Sequence, residues 1–180
     1  MKVAFCLQTI EFQKRGLPHC HMLLIIDQNH ARVDAETIDK VVSCEIPDPA
    51  THPRLHEAVK KFMVHGPCGE LNRKSPCLHE GDKCRANFPK RFCEETVANS
   101  DGYPEYRRPD NRRTMEVGKY TIDNRWIVAY NPYLLLKYDC HINVEVCATV
   151  KSFKYLYKYI FKGHDVALIQ VKQTEAFTRC

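Results

Sequence analysis

The side chains best suited to chemistry in this chain are the histidines of Pro18-His19-Cys20-His21 and the phenols of Tyr155-Leu156-Tyr157-Lys158-Tyr159. On a strand, His19 and His21 project from one face, close enough to share a divalent cation. On a helix, Tyr155 and Tyr159 stand one turn apart, with Lys162 at i+3 from Tyr159. A phenolate attacks phosphorus, and a metal ion or ammonium stabilises the charge that develops in the transfer. Paired phenols permit successive covalent events without release of the first end. The combination suits metal-assisted cleavage of a phosphodiester with one end kept on tyrosine.

The remaining cation ligand must come from a neighbouring strand. Glu11 and Gln13 share a parity just before the turn that leads to His19, so either oxygen donor completes a site for Mg²⁺ or Mn²⁺. Gln13, nearer the turn, is preferred and Glu11 comes second. Lys162 is the cation that accompanies the tyrosines.

A different set of donors lies between these motifs: His65-Gly66-Pro67-Cys68, Pro76-Cys77-Leu78-His79, Lys83-Cys84 and Arg91-Phe92-Cys93. Zn²⁺ takes four such ligands tetrahedrally, and a closed shell stabilises structure rather than catalysing. The preferred set is His65, Cys68, Cys77 and Cys84, with His79 and Cys93 as alternates. The same region carries Lys83, Arg85, Lys90, Arg91, Arg107, Arg108, Arg112 and Arg113, which suits a surface that follows phosphates.

These groups need elements to hold them. Residues 2–13 and 19–26, joined by the Gly16 and Pro18 turn, read as a β-hairpin. Both faces of the second strand are largely apolar, which predicts a central, covered position with Cys20 in the core. Residues 34–42 and 55–64 read as helices, the second with Leu55, Val59, Phe62 and Met63 in one stripe. Pro47, Pro49 and Pro53 mark a loop between them. From 65 to 113 periodicity fails, and a coreless insert held by metal is expected. Strands are expected at 126–130 and 141–147, then a helix over 150–162 ending at Gly163. The whole reads as one domain over 1–180: a His-motif half (1–64), a Cys-rich insert (65–113), and the strands with the tyrosine helix (114–170).

The chain has 180 residues, 27 Lys+Arg against 22 Asp+Glu, and a net charge of +5, mildly basic and compatible with a polyanionic partner. Ten cysteines without a signal-like N-terminus point to a reducing compartment, with clustered thiols as ligands and scattered ones as buried hydrophobes. No apolar run approaches the roughly 20 residues of a membrane helix.

The segment Glu11-Phe12-Gln13-Lys14-Arg15-Gly16-Leu17-Pro18-His19-Cys20-His21 resembles the His-hydrophobe-His motif of the replication initiator (Rep) domain of Helitron rolling-circle transposons, of the HUH endonuclease superfamily. The resemblance continues through His65-Gly66-Pro67-Cys68-Gly69, Phe88-Pro89-Lys90-Arg91-Phe92, Asp101-Gly102-Tyr103-Pro104 and Asn124-Arg125-Trp126 to Lys154-Tyr155-Leu156-Tyr157-Lys158-Tyr159. It implies an α+β fold, a central antiparallel sheet flanked by helices with the His strand in the middle. It implies metal-dependent nicking of single-stranded DNA through a 5′-phosphotyrosyl intermediate, followed by strand transfer in the nucleus. His19 and His21 match the family's metal ligands, and Tyr155 and Tyr159 its nucleophiles. Family members carry an earlier strand and a helicase domain, so a truncated domain is expected here. Ala129 stands where the family pattern has proline. The alternative is a catalytically silent remnant, a zinc-stabilised module that only binds single-stranded nucleic acid.

Overall fold

A computed structural model of the chain describes residues 3–12, 16–27, 34–79, 83–97, 103–146 and 170–172. It is a small α+β protein whose described parts fall into separate compact units, one built around residues 1–34 and 147–180, the other from 35–99 and 104–146. No helix among the described residues is long and apolar enough to cross a membrane.

The first unit is the expected hairpin. Strand β1 (Val3–Phe12) pairs antiparallel with β2 (Pro18–Ile26), with a bulge between Val3 and Phe5. Gly16 sits in the connection at φ 75°, a left-handed conformation that favours glycine. A short strand, here β5 (Gln170–Lys172), adds to the other side of β1 through Cys6↔Lys172, Leu7↔Val171 and Gln8↔Gln170. The order β2-β1-β5 puts β1 in the middle, so the His strand is not the central one among the described residues. Cys20, expected in the core, is exposed, as are Leu24 and Ile25. The apolar character of both faces reads as burial only when layers cover both, and the described residues place no such layers on β2.

The second unit holds helices α1 (Ala35–Val41) and α2 (Pro53–Phe62), within a residue or two of the expected spans. Pro53 suits the first turn of α2, where its missing N–H removes nothing. Ala58 and Val59 of that helix join Ile46, Met63, Met115, Ile122, Trp126, Ile127, Tyr130 and Leu135 in one core. Cys68 and Cys84 are buried in the same core, with Cys77, Leu78 and Phe88 packed against it. Residues 65–79 and 83–93, expected to be part of a coreless insert, therefore contribute to the main core.

Between 114 and 138 local structure differs from the sequence expectation. Strands β3 (Thr114–Val117) and β4 (Tyr120–Asp123) form a second hairpin across Gly118, φ 60°. Helix α3 (Pro132–Tyr138) starts where Asn131 Oδ1 accepts the Leu134 N–H at 2.9 Å, a side-chain N-cap. The expected strand at 126–130 is instead a 3₁₀ turn (Asn124–Trp126) leading into isolated bridges. Ile127 pairs with Val64 and Tyr130 with Ser43, so this stretch joins different segments and never builds one ladder. Residues 141–146 form no strand and make one backbone bond to that stretch, Val144 N–H to Ala129 O at 3.1 Å.

A buried polar hub fixes the crossing of these loops. Asn124, fully buried, accepts the Ile46 N–H at 2.8 Å and donates to Pro109 O at 2.8 Å. Arg108, 5 % exposed, donates to the carbonyls of Cys44, Asn124 and Ile127. Loops packed this deeply need such partners for their backbone groups.

Candidate metal centres

Antiparallel pairing decides what faces the histidines. Glu11 is directly opposite His19, and Thr9 is opposite His21. Cross-strand partners share a face, so Thr9, Glu11, His19 and His21 form one patch. The imidazole centroids are 4.8 Å apart, and His21 Nε2 lies 3.6 Å from Glu11 Oε2. The side chains of His21 and Glu11 are mostly buried, 16 % and 20 % exposed. Burial lowers the proton affinity of His21, and His19 lowers it further, while Glu11 pulls it back up. The net lowering keeps His21 neutral near pH 7, the form in which imidazole binds metal. Thr9, 4 % exposed, carries no ligand signal in the sequence although it shares the parity of Glu11. Gln13, Tyr155, Tyr159 and Lys162 lie outside the described residues.

The other centre is built from a loop and a small antiparallel bridge. Beyond α2, Val64 pairs with Ile127, and the His65 N–H donates to Trp126 O at 2.8 Å, which aims the imidazole inward. Cys77 and Cys84 are brought together by the bridge Leu78↔Cys84, with Arg85 N–H to Cys77 O at 2.9 Å and His79 N–H to Lys83 O at 3.0 Å. The ligand atoms of His65, Cys68, Cys77 and Cys84 all lie within 4.8 Å of one another. These are the residues preferred from sequence. The alternates are engaged elsewhere: His79 Nδ1 accepts from Arg85 at 3.2 Å, and Cys93 Sγ donates to Glu95 O at 2.8 Å.

The donor set passes a geometric test. Zn–S bonds of ~2.3 Å and Zn–N bonds of ~2.1 Å at a tetrahedral angle put a sulfur and a nitrogen ~3.6 Å apart. His65 Nε2 is 3.7 Å from Cys68 Sγ and 3.4 Å from Cys84 Sγ. His65, Cys68, Cys77 and Cys84 could therefore hold a metal such as zinc.

The thiols of this cluster differ in their surroundings. Burial pushes the Cys68 thiol up to about 12, with Cys77 and Cys84 adding to the shift. Burial also raises Cys84, but the backbone N–H groups of Phe88 and Ala86, with Cys77 and Cys68, outweigh it and leave that thiol below its ordinary value. Backbone N–H groups directed at a sulfur stabilise thiolate, the form that binds metal. The His65 ring stacks on Phe88 at 4.2 Å and 9°, with Trp126 at 6.4 Å and 10°, which fixes its plane. Phe88 and Trp126 carried no ligand signal in the sequence; only the fold makes them walls of this centre.

The other thiols divide by position. Cys6 and Cys44 are buried as expected, and burial pushes Cys44 up to about 11. Cys20 and Cys140 are exposed, contrary to the expectation for scattered cysteines. No protein-family model matches the chain, and no curated protein is significantly similar to it.

Proposed function

We propose that this chain is a Helitron-like Rep domain of HUH type, a metal-dependent endonuclease and strand transferase acting on single-stranded DNA. The observation that carries the reading is the register of β1 and β2, which gathers Glu11, His19 and His21 on one face. Two imidazoles with one carboxylate suit a divalent cation that also takes phosphate oxygen. His19, His21 and Glu11, with Gln13 as a further candidate, would hold Mg²⁺ or Mn²⁺, which supplies polarisation of the scissile phosphate.

The chain's own residues do the rest. Glu11 orients His21 and offsets its desolvation. The phenol oxygen of Tyr155 or Tyr159 forms the new bond to phosphorus while the bond to the 3′-oxygen breaks. The phenol gives up its proton to solvent as it attacks, the 3′-oxygen takes one from solvent and leaves as a hydroxyl, and the 5′ phosphate stays on tyrosine. Lys162 offsets charge on the phenolate. The His65, Cys68, Cys77 and Cys84 centre, with every position filled by protein, serves structure. The reading carries with it a nuclear site of action and a helicase domain as partner in the full-length protein.

Covalent trapping tests it. Single-stranded oligonucleotides labelled at either end are incubated with the chain and Mn²⁺ or Mg²⁺, then run on denaturing gels. The 3′ label should move with protein, and the 5′ label should appear on a shorter free fragment. His19→Ala, or Tyr155→Phe with Tyr159→Phe, should abolish the adduct. Binding without any adduct in the wild-type chain would instead favour the silent zinc-stabilised module, and an adduct that survives the double Phe change would refute the nucleophile assignment.

A further inference from the structure

The basic residues that the sequence groups between 83 and 113 have different fates in the fold. Arg108 is spent on buried carbonyls. Arg107 pairs with Glu45, and Arg113 pairs with Asp48 at 3.4 Å. What stays together is the segment 85–92, which carries Arg85, Lys90 and Arg91 with Phe88 and Phe92 and no acidic residue.

That segment is fastened at both ends. Cys84 and Phe88 belong to the metal centre, where the Phe88 ring stacks on His65 and its carbonyl accepts from Cys68 Sγ at 3.8 Å. Farther along, the Lys90 N–H donates to Arg125 O at 3.0 Å, which ties the segment to the 3₁₀ turn. Cations and rings then alternate: Lys90 Nζ lies 5.1 Å from the Phe88 centroid, and Arg125 Cζ lies 4.9 Å from that of Phe92. Arg125 rests on Phe92 with its side chain still 42 % exposed, although Asp123 holds one edge. A guanidinium resting over a ring is a planar, weakly hydrated platform of the kind nucleobases stack on. Arg91 is exposed and engages Glu105.

The geometry points to Lys90, Phe92 and Arg125, flanked by Arg85 and Arg91, as a binding surface for single-stranded nucleic acid, held in shape by the metal centre. Cations meet the phosphates, and the stacked Phe92 and Arg125 meet the bases. A duplex hides its base faces, so an unpaired strand is the better ligand. Lys90 is half-buried, and burial together with repulsion from Arg108 lowers its proton affinity against the pull of Glu145. This surface belongs to the second unit and does not use the His19/His21 face.

Fluorescence polarisation on the full chain, loaded with zinc and with no Mg²⁺ or Mn²⁺ added, tests this without requiring cleavage. The probes are labelled oligothymidylate and oligouridylate of about 20 nucleotides, a length that spans a typical single-strand site, and a duplex of the same length. Arg85→Gln with Lys90→Gln and Arg91→Gln should weaken binding about tenfold or more and flatten the salt dependence by about two phosphate contacts. Phe92→Leu, which keeps every charge, should weaken it about fivefold or more with the salt slope unchanged. A control triple, Lys60→Gln, Lys119→Gln and Lys137→Gln, removes the same charge elsewhere in the unit and should stay within about twofold. Circular dichroism and zinc content check folding, and Phe92→Leu decides if the triple variant misfolds. The tighter of the two single strands identifies the ligand as DNA or RNA. Unchanged binding by Phe92→Leu, equal loss in the control triple, or equal affinity for the duplex would overturn the proposal. Loss of the covalent adduct with this binding intact would refute only the nicking reaction.

Discussion

Stripping metal from His65, Cys68, Cys77 and Cys84 should loosen the whole second unit rather than the Cys-rich segment alone. The reason is placement: Cys68 is 2 % exposed and Cys84 8 %, in one core with Val59, Met63, Trp126 and Ile127. Structural zinc sites bind with about 10–16 kcal/mol, so a mid-range value of about 13 corresponds to a Kd of ~0.3 nM. At ~1 µM free metal the folded form then gains about 5 kcal/mol by mass action. That is comparable to the entire stability of a modest domain, about 5–15 kcal/mol, and amounts to a fall in Tm of about 20 °C. Cys68 keeps its proton in the metal-free form, so the loss is of metal bonding and not a burst of thiolate repulsion. Trp126 is the sole tryptophan and lies stacked near His65, so its emission reports the event directly. Thermal melts followed at Trp126, with and without a strong zinc chelator, should separate by that amount. Amide exchange should rise at Val128 and His65, whose N–H groups bond Met63 O and Trp126 O, and stay unchanged in the β1/β2 hairpin. Unchanged melting and emission after verified metal removal, or no zinc in freshly purified protein, would refute the reasoning.

Other consequences follow from the polar interior and the turns. Asn124→Ala strips partners from the Ile46 N–H and Pro109 O in a fully buried setting and should cost about 2–4 kcal/mol in urea unfolding; a loss under half of that would demote the hub. Asp123 sits between opposed influences: burial raises its carboxyl, but the Arg125 guanidinium and N–H outweigh that and hold it below the ordinary value. A carboxylate with depressed folded affinity stabilises above its unfolded pKa of about 3.9 and loses that contribution as pH falls through the folded value. The stability gap between wild type and Asp123→Asn should therefore be present at pH 6 and close below about pH 4, and its size should not exceed about 1 kcal/mol because Arg125 is partly in water. Gly118→Ala, at φ 60° in the β3/β4 turn, should cost about 1 kcal/mol, read from the same unfolding curves.

The amino-acid sequence by itself determined the parts whose signals are local. Alternation plus Gly16 and Pro18 fixed the hairpin and the common face of His19 and His21, because a period of two and a turn leave little choice of register. The apolar stripe set α2, and donor chemistry alone singled out His65, Cys68, Cys77 and Cys84. Tertiary structure decided what depends on distant partners. Pairing brought Thr9 and Glu11 against the histidines, and the order β2-β1-β5 moved the His strand from the centre. Ile127 and Tyr130 are held by Val64 and Ser43, far back in the chain, so neither their bridges nor the irregular 141–146 stretch could be read from alternation. The same holds for Arg108, Phe88 and Trp126. A buried arginine and an exposed one look alike in a sequence, and only packing separates a cation bonded to core carbonyls from one that can meet a phosphate.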